Sequence, residues 1–354
     1  MNNNTSNWNP CNNIQLSIII PVYNVEKYIR SCLESIYQQG LDDNCFEIII
    51  INDGTEDRSI ENIHNIISHH NNITIINQEN QGTSVARNEG IKIAKGNYLL
   101  MIDPDDLLVN DSLNPMLNKA LESQADIVVA DYLRIKDYDI ENKNIPTTDQ
   151  TITFKEMTGK QLFLDYFTYA KCYVWCNMYR KDFLIDNDIF FIPGIIYEDQ
   201  PFSHECVLKA QECILSNITL NIYRIRSGSA IDKPMNKEKA KSSCIAISST
   251  WKLINHVKED KAIIKKIQES VYHYFSIFIC ILVHCDLNKK EKKEIIDFLQ
   301  SEVPDIHFGN SPIKYLLTYM FRKKPHTLLY LRHLYGIIVE DNILPFYRHY
   351  LKFV

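Results

Sequence analysis

The sequence predicts an α/β fold: a mostly parallel, Rossmann-like sheet with helices on both faces, followed by a C-terminal helical region. Short apolar runs alternate with helical patterns from Leu16 to Ala130, as in strand–helix–strand units with right-handed crossovers. Polar clusters fall just after those runs, at strand C-termini, where open α/β sheets bind ligands. From about Met235 the strand signals vanish, and helical stretches run to Val354.

Leu16 to Ile20 is a buried strand ending in Pro21-Val22-Tyr23-Asn24, after which Ile29, Cys32, Leu33 and Ile36 recur at helical spacing. Phe46 to Ile51 is a second strand, running into Asn52-Asp53-Gly54-Thr55-Glu56-Asp57, with Ile60, Ile63, Ile66 and Ile67 marking a helix. A third strand, Ile73 to Ile76, precedes a helix carrying Val85, Ala86, Ile91 and Ala94. The run from Tyr98 then delivers Asp103-Pro104-Asp105-Asp106. Leu113 to Leu121 reads as a helix, Ile127 to Ala130 as a strand and Lys136 to Gln150 as a polar loop. Ile152 to Phe154, the aromatics Tyr173 to Trp175 and Ile214 to Ile225 read as further, mixed sheet. Between them Glu198-Asp199 leads into a helix with Pro201 in its first turn. The organisation expected is a polar tail over 1–13, an α/β domain over 14–234 and a helical subdomain over 235–354.

A chain of 354 residues with 45% hydrophobic content supports a sizeable core. Its net charge of −6 gives no basic field for nucleic acid. The ten cysteines form no CxxC pair and read as reduced, buried thiols. The Asn-rich start lacks the pattern of a secretory signal, and no apolar run approaches the roughly 18 to 20 residues that span a bilayer. A cytoplasmic location is expected, with an optional peripheral contact at the inner face of the membrane.

The acidic stretch carries the chemistry. Three carboxylates at one strand end repel one another unless a cation sits among them, and their oxygens suit Mg²⁺ or Mn²⁺. The competing reading makes Asp105 or Asp106 the cap of a helix starting near Leu107. No GxGxxG follows the first strand, no Walker A sequence occurs, and no Gly-rich basic loop of a sugar nucleotidyltransferase is present.

Taken in order, Ile18-Ile-Ile-Pro21-Val22-Tyr23-Asn24-Val-Glu26, Asn52-Asp53-Gly54-Thr55-Glu-Asp57, Gly82-Thr-Ser-Val-Ala86-Arg87-Asn88-Glu-Gly90, Asp103-Pro-Asp105-Asp106 and Glu198-Asp199 resemble the motif set of inverting glycosyltransferases of family 2, of the kind that builds bacterial surface polysaccharides. The resemblance spans roughly Leu16 to Ile231 and implies the GT-A fold. It implies transfer of a sugar from a nucleotide diphosphate, a UDP-sugar above all, to a hydroxyl of a glycan or lipid-linked acceptor, by a hexosyl- or N-acetylhexosaminyltransferase.

The resemblance extends to single residues. Pro21, Val22, Tyr23, Asn24, Glu26 and Asp53 would form the nucleobase pocket, bordered by Gly82 and Arg87. Asp105 would bind Mn²⁺ or Mg²⁺ directly, with Asp103 on the ribose or the metal and Asp106 in support. Asp199 would be the general base, with Glu198 beside it able to share a proton, and Arg226 would close over the donor phosphates. Two positions depart from the family's usual residues: Asn52, where many members carry Asp, and Pro104. Asp53 and Asp57 would equally serve as a turn and helix cap before Ile60, Arg87 as a surface arginine, and Glu198-Asp199 as a helix N-terminal acidic pair. His204 reads as a packing histidine or an acceptor contact, and Trp175 as core or as a platform for a sugar. A non-catalytic nucleotide-sugar-binding scaffold with the same fold is the alternative function. The aromatic and basic interleaving of Lys314 to Lys352 suits either a peripheral membrane surface or a packed helical subdomain that could form a homodimer.

Overall fold

The structure is a computed structural model that describes residues 13–141, 151–167, 173–228, 234–257 and 259–333. It divides into two compact units. The first holds 1–158, 174–190 and 210–225, and contains all nine strands found among the described residues.

Strands β1 (Leu16–Val22), β2 (Phe46–Asp53), β3 (Ile73–Gln78) and β4 (Tyr98–Met101) pair in parallel in the order β3-β2-β1-β4. Apart from Asn52, every residue of β1, β2 and β4 is buried, which explains their uninterrupted apolar runs. Their polar exceptions are satisfied: Ser17 Oγ donates to Glu47 Oε1 at 2.6 Å, and the same oxygen accepts the Lys95 N–H. Helices α1 (Ile29–Tyr37), α2 (His64–His69) and α3 (Thr83–Ile93) provide the crossovers. The second is shorter than its isoleucine spacing suggests, because Glu61–Ile63 is a 3₁₀ turn.

The sheet then becomes mixed. After β4 the order is β8-β6-β9-β5, with β7 also on β9; these are β5 (Leu107–Leu108), β6 (Ile127–Lys136), β7 (Phe154–Met157), β8 (Asn177–Arg180) and β9 (Cys213–Ile225). Several details differ from the sequence reading. Leu107 starts no helix; it pairs antiparallel with Ile222, so the helix-cap reading of Asp105 and Asp106 fails. The strand expected around Tyr173 to Trp175 lies instead at β8, and the start of the expected polar loop is a helical turn, α4 (Asp137–Glu141), preceded in sequence by α-helical Leu113–Ser123 before β6. Residues 142–150 lie outside the described set.

The second unit holds 159–173, 191–209 and 226–354. Its described helices are Gly159–Asp165, Asp199–Lys209, Lys237–Lys252, Lys261–His284, Lys289–Glu302 and Pro312–Lys323. The 24-residue helix Lys261–His284 buries Ile267, Val271, Phe275 and Phe278, and the Phe275 ring lies 4.4 Å from Phe308 and 5.5 Å from Phe321. None of the described helices is long and apolar enough to cross a membrane. Seven described cysteines are unbonded and buried, whereas Cys45 is disulfide-bonded, against the expectation that all ten are reduced.

Candidate functional site

Parallel pairing puts the C-termini of β1, β2 and β4 at one edge, so the loops carrying Tyr23, Asp53 and Asp103 emerge together. Pro21 and Val22 are the buried last residues of β1, in register with Ile51 and Asn52. Tyr23 follows with 43% of its surface exposed. Asn24 takes a left-handed backbone (φ 52°), and its amide carbonyl accepts the Glu56 N–H at 3.1 Å. Glu26 is bound reciprocally: its N–H donates to Asp57 Oδ2 (2.9 Å) and its carboxylate accepts the Arg58 N–H (3.1 Å). Burial pushes the Asp57 carboxyl up, but donors from Ser59, Glu26 and Thr55 outweigh it and hold it below the usual range. Asp57 thus fastens two loops as well as ordering its own turn.

Asp53, only 3% exposed, does the same for the next loop. Its Oδ1 accepts from Gln78 Nε2 (2.7 Å) and the Gln81 N–H (2.9 Å), and its Oδ2 accepts the Gly82 N–H (2.9 Å). Gly82 has φ 87° and ψ 165°, a conformation available in effect only to glycine, and it precedes the first turn of Thr83–Ile93. On that helix a Cβ at Gly90 would stand 2.4 Å from Ile19 Cγ2, so Gly90 allows the helix to lie against β1. The surface reading of Arg87 fails: it is 2% exposed, and its NH2 group donates to Asp103 Oδ1 at 2.8 Å.

The acidic stretch is a tight turn. Asp106 N–H donates to the Asp103 carbonyl at 3.1 Å, with Pro104 at the second position, where its fixed φ favours the turn. Asp103 and Asp105 are partly exposed, and Asp106 is buried. Asp106 is held from β9 by Asn221 Nδ2 (3.0 Å) and the Arg224 N–H (2.8 Å). Burial, and then the charges of Asp105 and Asp103, push its carboxyl well above the usual range despite those donors. The buried Cys32 thiol is raised by burial and by the same three acids. Negative potential is therefore concentrated at this turn.

Arg224 is the group that sequence reasoning missed. It is 5% exposed; its Nε donates to the Asp105 carbonyl (2.7 Å) and its NH1 to Asp137 Oδ1 (2.6 Å), and its guanidinium lies 5.0 Å from the centre of the Tyr28 ring. Arg226, given the phosphate role by resemblance, follows the end of β9 and is partly exposed. Tyr223 lies inside β9, within the Ile214 to Ile225 stretch expected to be sheet. Trp175 is 3% exposed, with the Tyr132 ring edge-on at 4.8 Å and the Tyr223 ring stacked at 5.8 Å, so it belongs to the core.

In the second unit, Asp199 is the first residue of its helix and Glu198 precedes it; both are partly exposed. The Glu198 carbonyl accepts the Phe202 N–H at 3.4 Å. His204 is fully buried between the rings of Phe163, Phe167 and Tyr274, with Nδ1 on the Gln200 carbonyl at 2.7 Å. It is a packing histidine, and burial brings its pKa down to about 4. Among the described residues, no three His, Cys, Asp or Glu side chains are grouped to hold a metal ion by themselves.

One end of the parallel sheet thus carries an exposed aromatic, a loop clamped by a buried aspartate and an acidic turn. The family model "Glycosyl transferase family 2" matches residues 17–187. An uncharacterized glycosyltransferase of Bacillus subtilis, EpsJ, is 33% identical over 255 residues, covering 69% of this chain and 73% of that protein. Staphylococcus aureus TarS (residues 1–349), solved in complex with UDP-GlcNAc, superposes with a TM-score of 0.67 at 18% identity, over 91% of this chain and 92% of that one. The mannosyltransferase PcManGT of Pyrobaculum calidifontis, solved with GDP-Man and Mn²⁺, gives 0.52 at 13% identity, over 95% and 89%. The chain belongs to glycosyltransferase family 2 and has the GT-A fold with a C-terminal helical region.

Proposed function

We propose that this glycosyltransferase moves a hexosyl or N-acetylhexosaminyl group from a UDP-sugar, with inversion, to a hydroxyl of a growing surface glycan or its lipid-linked precursor. The observation that carries this reading is the Asp53 clamp beside the acidic turn. It fixes the Gly82 loop at a sheet edge where Tyr23 offers an exposed ring to a base. Support for UDP comes from the TarS complex, and support for a metal from the Mn²⁺ complex of PcManGT.

A hard divalent cation fits this donor set. The turn offers carboxylate oxygens from Asp103, Asp105 and Asp106, and among the described residues the buried cations Arg87 and Arg224 lie against it. Asp105, assisted by Asp103, would hold Mn²⁺ or Mg²⁺, and the ion would supply charge stabilisation to the departing diphosphate. Arg87 fixes the Asp103 carboxylate. Val22, Tyr23, Asn24 and Glu26 form the wall of the base pocket, and Arg226 contacts the phosphates. Asp199 takes the acceptor hydroxyl proton as general base, with Glu198 beside it.

The test is release of UDP from a panel of UDP-sugars, with and without acceptor glycans. Metal-dependent turnover with one or a few donors supports the reading. Tight UDP-sugar binding without transfer or hydrolysis across the panel would favour the scaffold alternative.

A further inference from the structure

Helix Pro312–Lys323 is apolar on more than its packed side. Leu317 and Phe321 are buried, with Thr318 between them. Yet Ile313 (40%), Tyr315 (64%), Leu316 (48%) and Tyr319 (51%) are exposed, four of the nine exposed large hydrophobics among the described residues. At 100° per residue Tyr315, Leu316 and Tyr319 fall on the half of the helix opposite the buried row, interleaved with exposed Arg322 and Lys323, while Ile313, one turn before buried Leu317, lies at the margin. A surface helix ordinarily turns charge to solvent there, so an apolar outer half marks a contact face. Its charge is one-sided as well. From Ile306 to Val339 the sequence has no Asp or Glu but carries Lys314, Arg322, Lys323, Lys324 and Arg332, in a chain whose net charge is −6.

We propose that this face docks on an anionic lipid surface. Two tyrosines suit the level of the headgroups, Leu316 enters the acyl boundary with Ile313 at its margin, and the cations at the C-terminal end of the helix pair with lipid phosphates. A bilayer meets both halves of the pattern, apolar and cationic, and the lack of Asp and Glu within the segment itself limits the repulsion to flanking acids such as Asp297 and Asp305. The inference does not depend on the donor or the metal. It adds to the glycosyl-transfer reading a place where a lipid-linked acceptor would be met.

The experiment is co-sedimentation of the full chain with phosphatidylcholine vesicles, with and without phosphatidylglycerol, at low and high salt. Binding to the anionic vesicles about tenfold or more above the neutral ones, and falling steeply with salt, is expected. The double substitution Leu316→Glu and Tyr319→Glu changes only exposed side chains, so it should keep the melting temperature while abolishing binding. Lack of wild-type binding, equal binding to neutral vesicles, or undiminished binding of the double variant would overturn the proposal. So would a wild-type dimer that the double variant splits into monomers without any vesicle binding, since the face would then join two copies of the chain.

Discussion

Asp53 is joined to Gly82 through the hydrogen bond that ends the loop after β3: the Gly82 N–H sits 2.9 Å from Oδ2, while Oδ1 takes two further donors. All three donors point at acceptor-only atoms. Asp53→Asn would turn one oxygen into an NH₂ group facing an N–H. A loss of about 1 to 3 kcal/mol is expected by urea denaturation, together with weaker UDP binding by calorimetry. Unchanged stability would mean that the loop is held by something else.

Arg224 binds the acidic turn to Asp137, and its guanidinium lies over Tyr28. Removing a buried cation leaves its partners uncompensated, so Arg224→Met should cost about 3 kcal/mol. It should also raise the donor KM more than it lowers kcat, because the turn loses its position. Asp137 is 28% exposed, and Asp137→Asn should be milder, about 1 kcal/mol. Equal effects of the two substitutions on KM would contradict a positioning role for Arg224.

Two buried histidines make the chain less stable in acid. Burial lowers His204 and His273 to about 4 in the folded chain, against 6.5 for a free histidine. Nearby Lys266 further disfavours a charge on His204, and its Nε2 has no hydrogen-bond partner among the described residues. Between those pH values the unfolded chain binds more protons, so stability is full above about pH 6.5 and falls as pH drops toward 4. Going from pH 7 to pH 5 should cost roughly 2 kcal/mol per histidine. His204→Gln should flatten that slope by about half while lowering stability at pH 7. A slope equal to that of the wild type would remove His204 from the titration.

Asp199 begins its helix with its side chain partly exposed, so replacing it should not unfold the chain. Asp199→Asn is expected to lower kcat by at least about 10²-fold while UDP affinity stays within about twofold of wild type. Near-normal turnover, with Glu198→Gln inactive instead, would transfer the base role to Glu198.

Much of this was legible in the sequence. The continuous apolar runs of β1, β2 and β4 leave no other reading than buried parallel strands, and the polar clusters mark their ends. The two-residue β5 was not legible, because Leu107 and Leu108 extend only by pairing with Ile222 and Asn221 far along the chain. Arg224 was hidden for the same reason: its partners Asp105, Asp106 and Asp137 are distant in sequence, and in isolation it is one polar residue in a long strand. Strand alternation offered a signal, since Leu220, Ile222 and Arg224 are all buried. The burial of Arg87 and His204 likewise depends on neighbours that no local spacing reveals.

The most direct measurement is thermal unfolding against UDP, GDP, dTDP and CMP, each with and without Mn²⁺, on the wild type and Asp105→Ala. Ligand bound to the native chain raises the midpoint by mass action. The expected result is a rise with UDP that requires Mn²⁺ and vanishes in Asp105→Ala, whose midpoint without ligand is unchanged. No shift with any nucleotide, or a UDP shift indifferent to both Mn²⁺ and Asp105, would contradict a metal-assisted UDP-sugar site at the acidic turn.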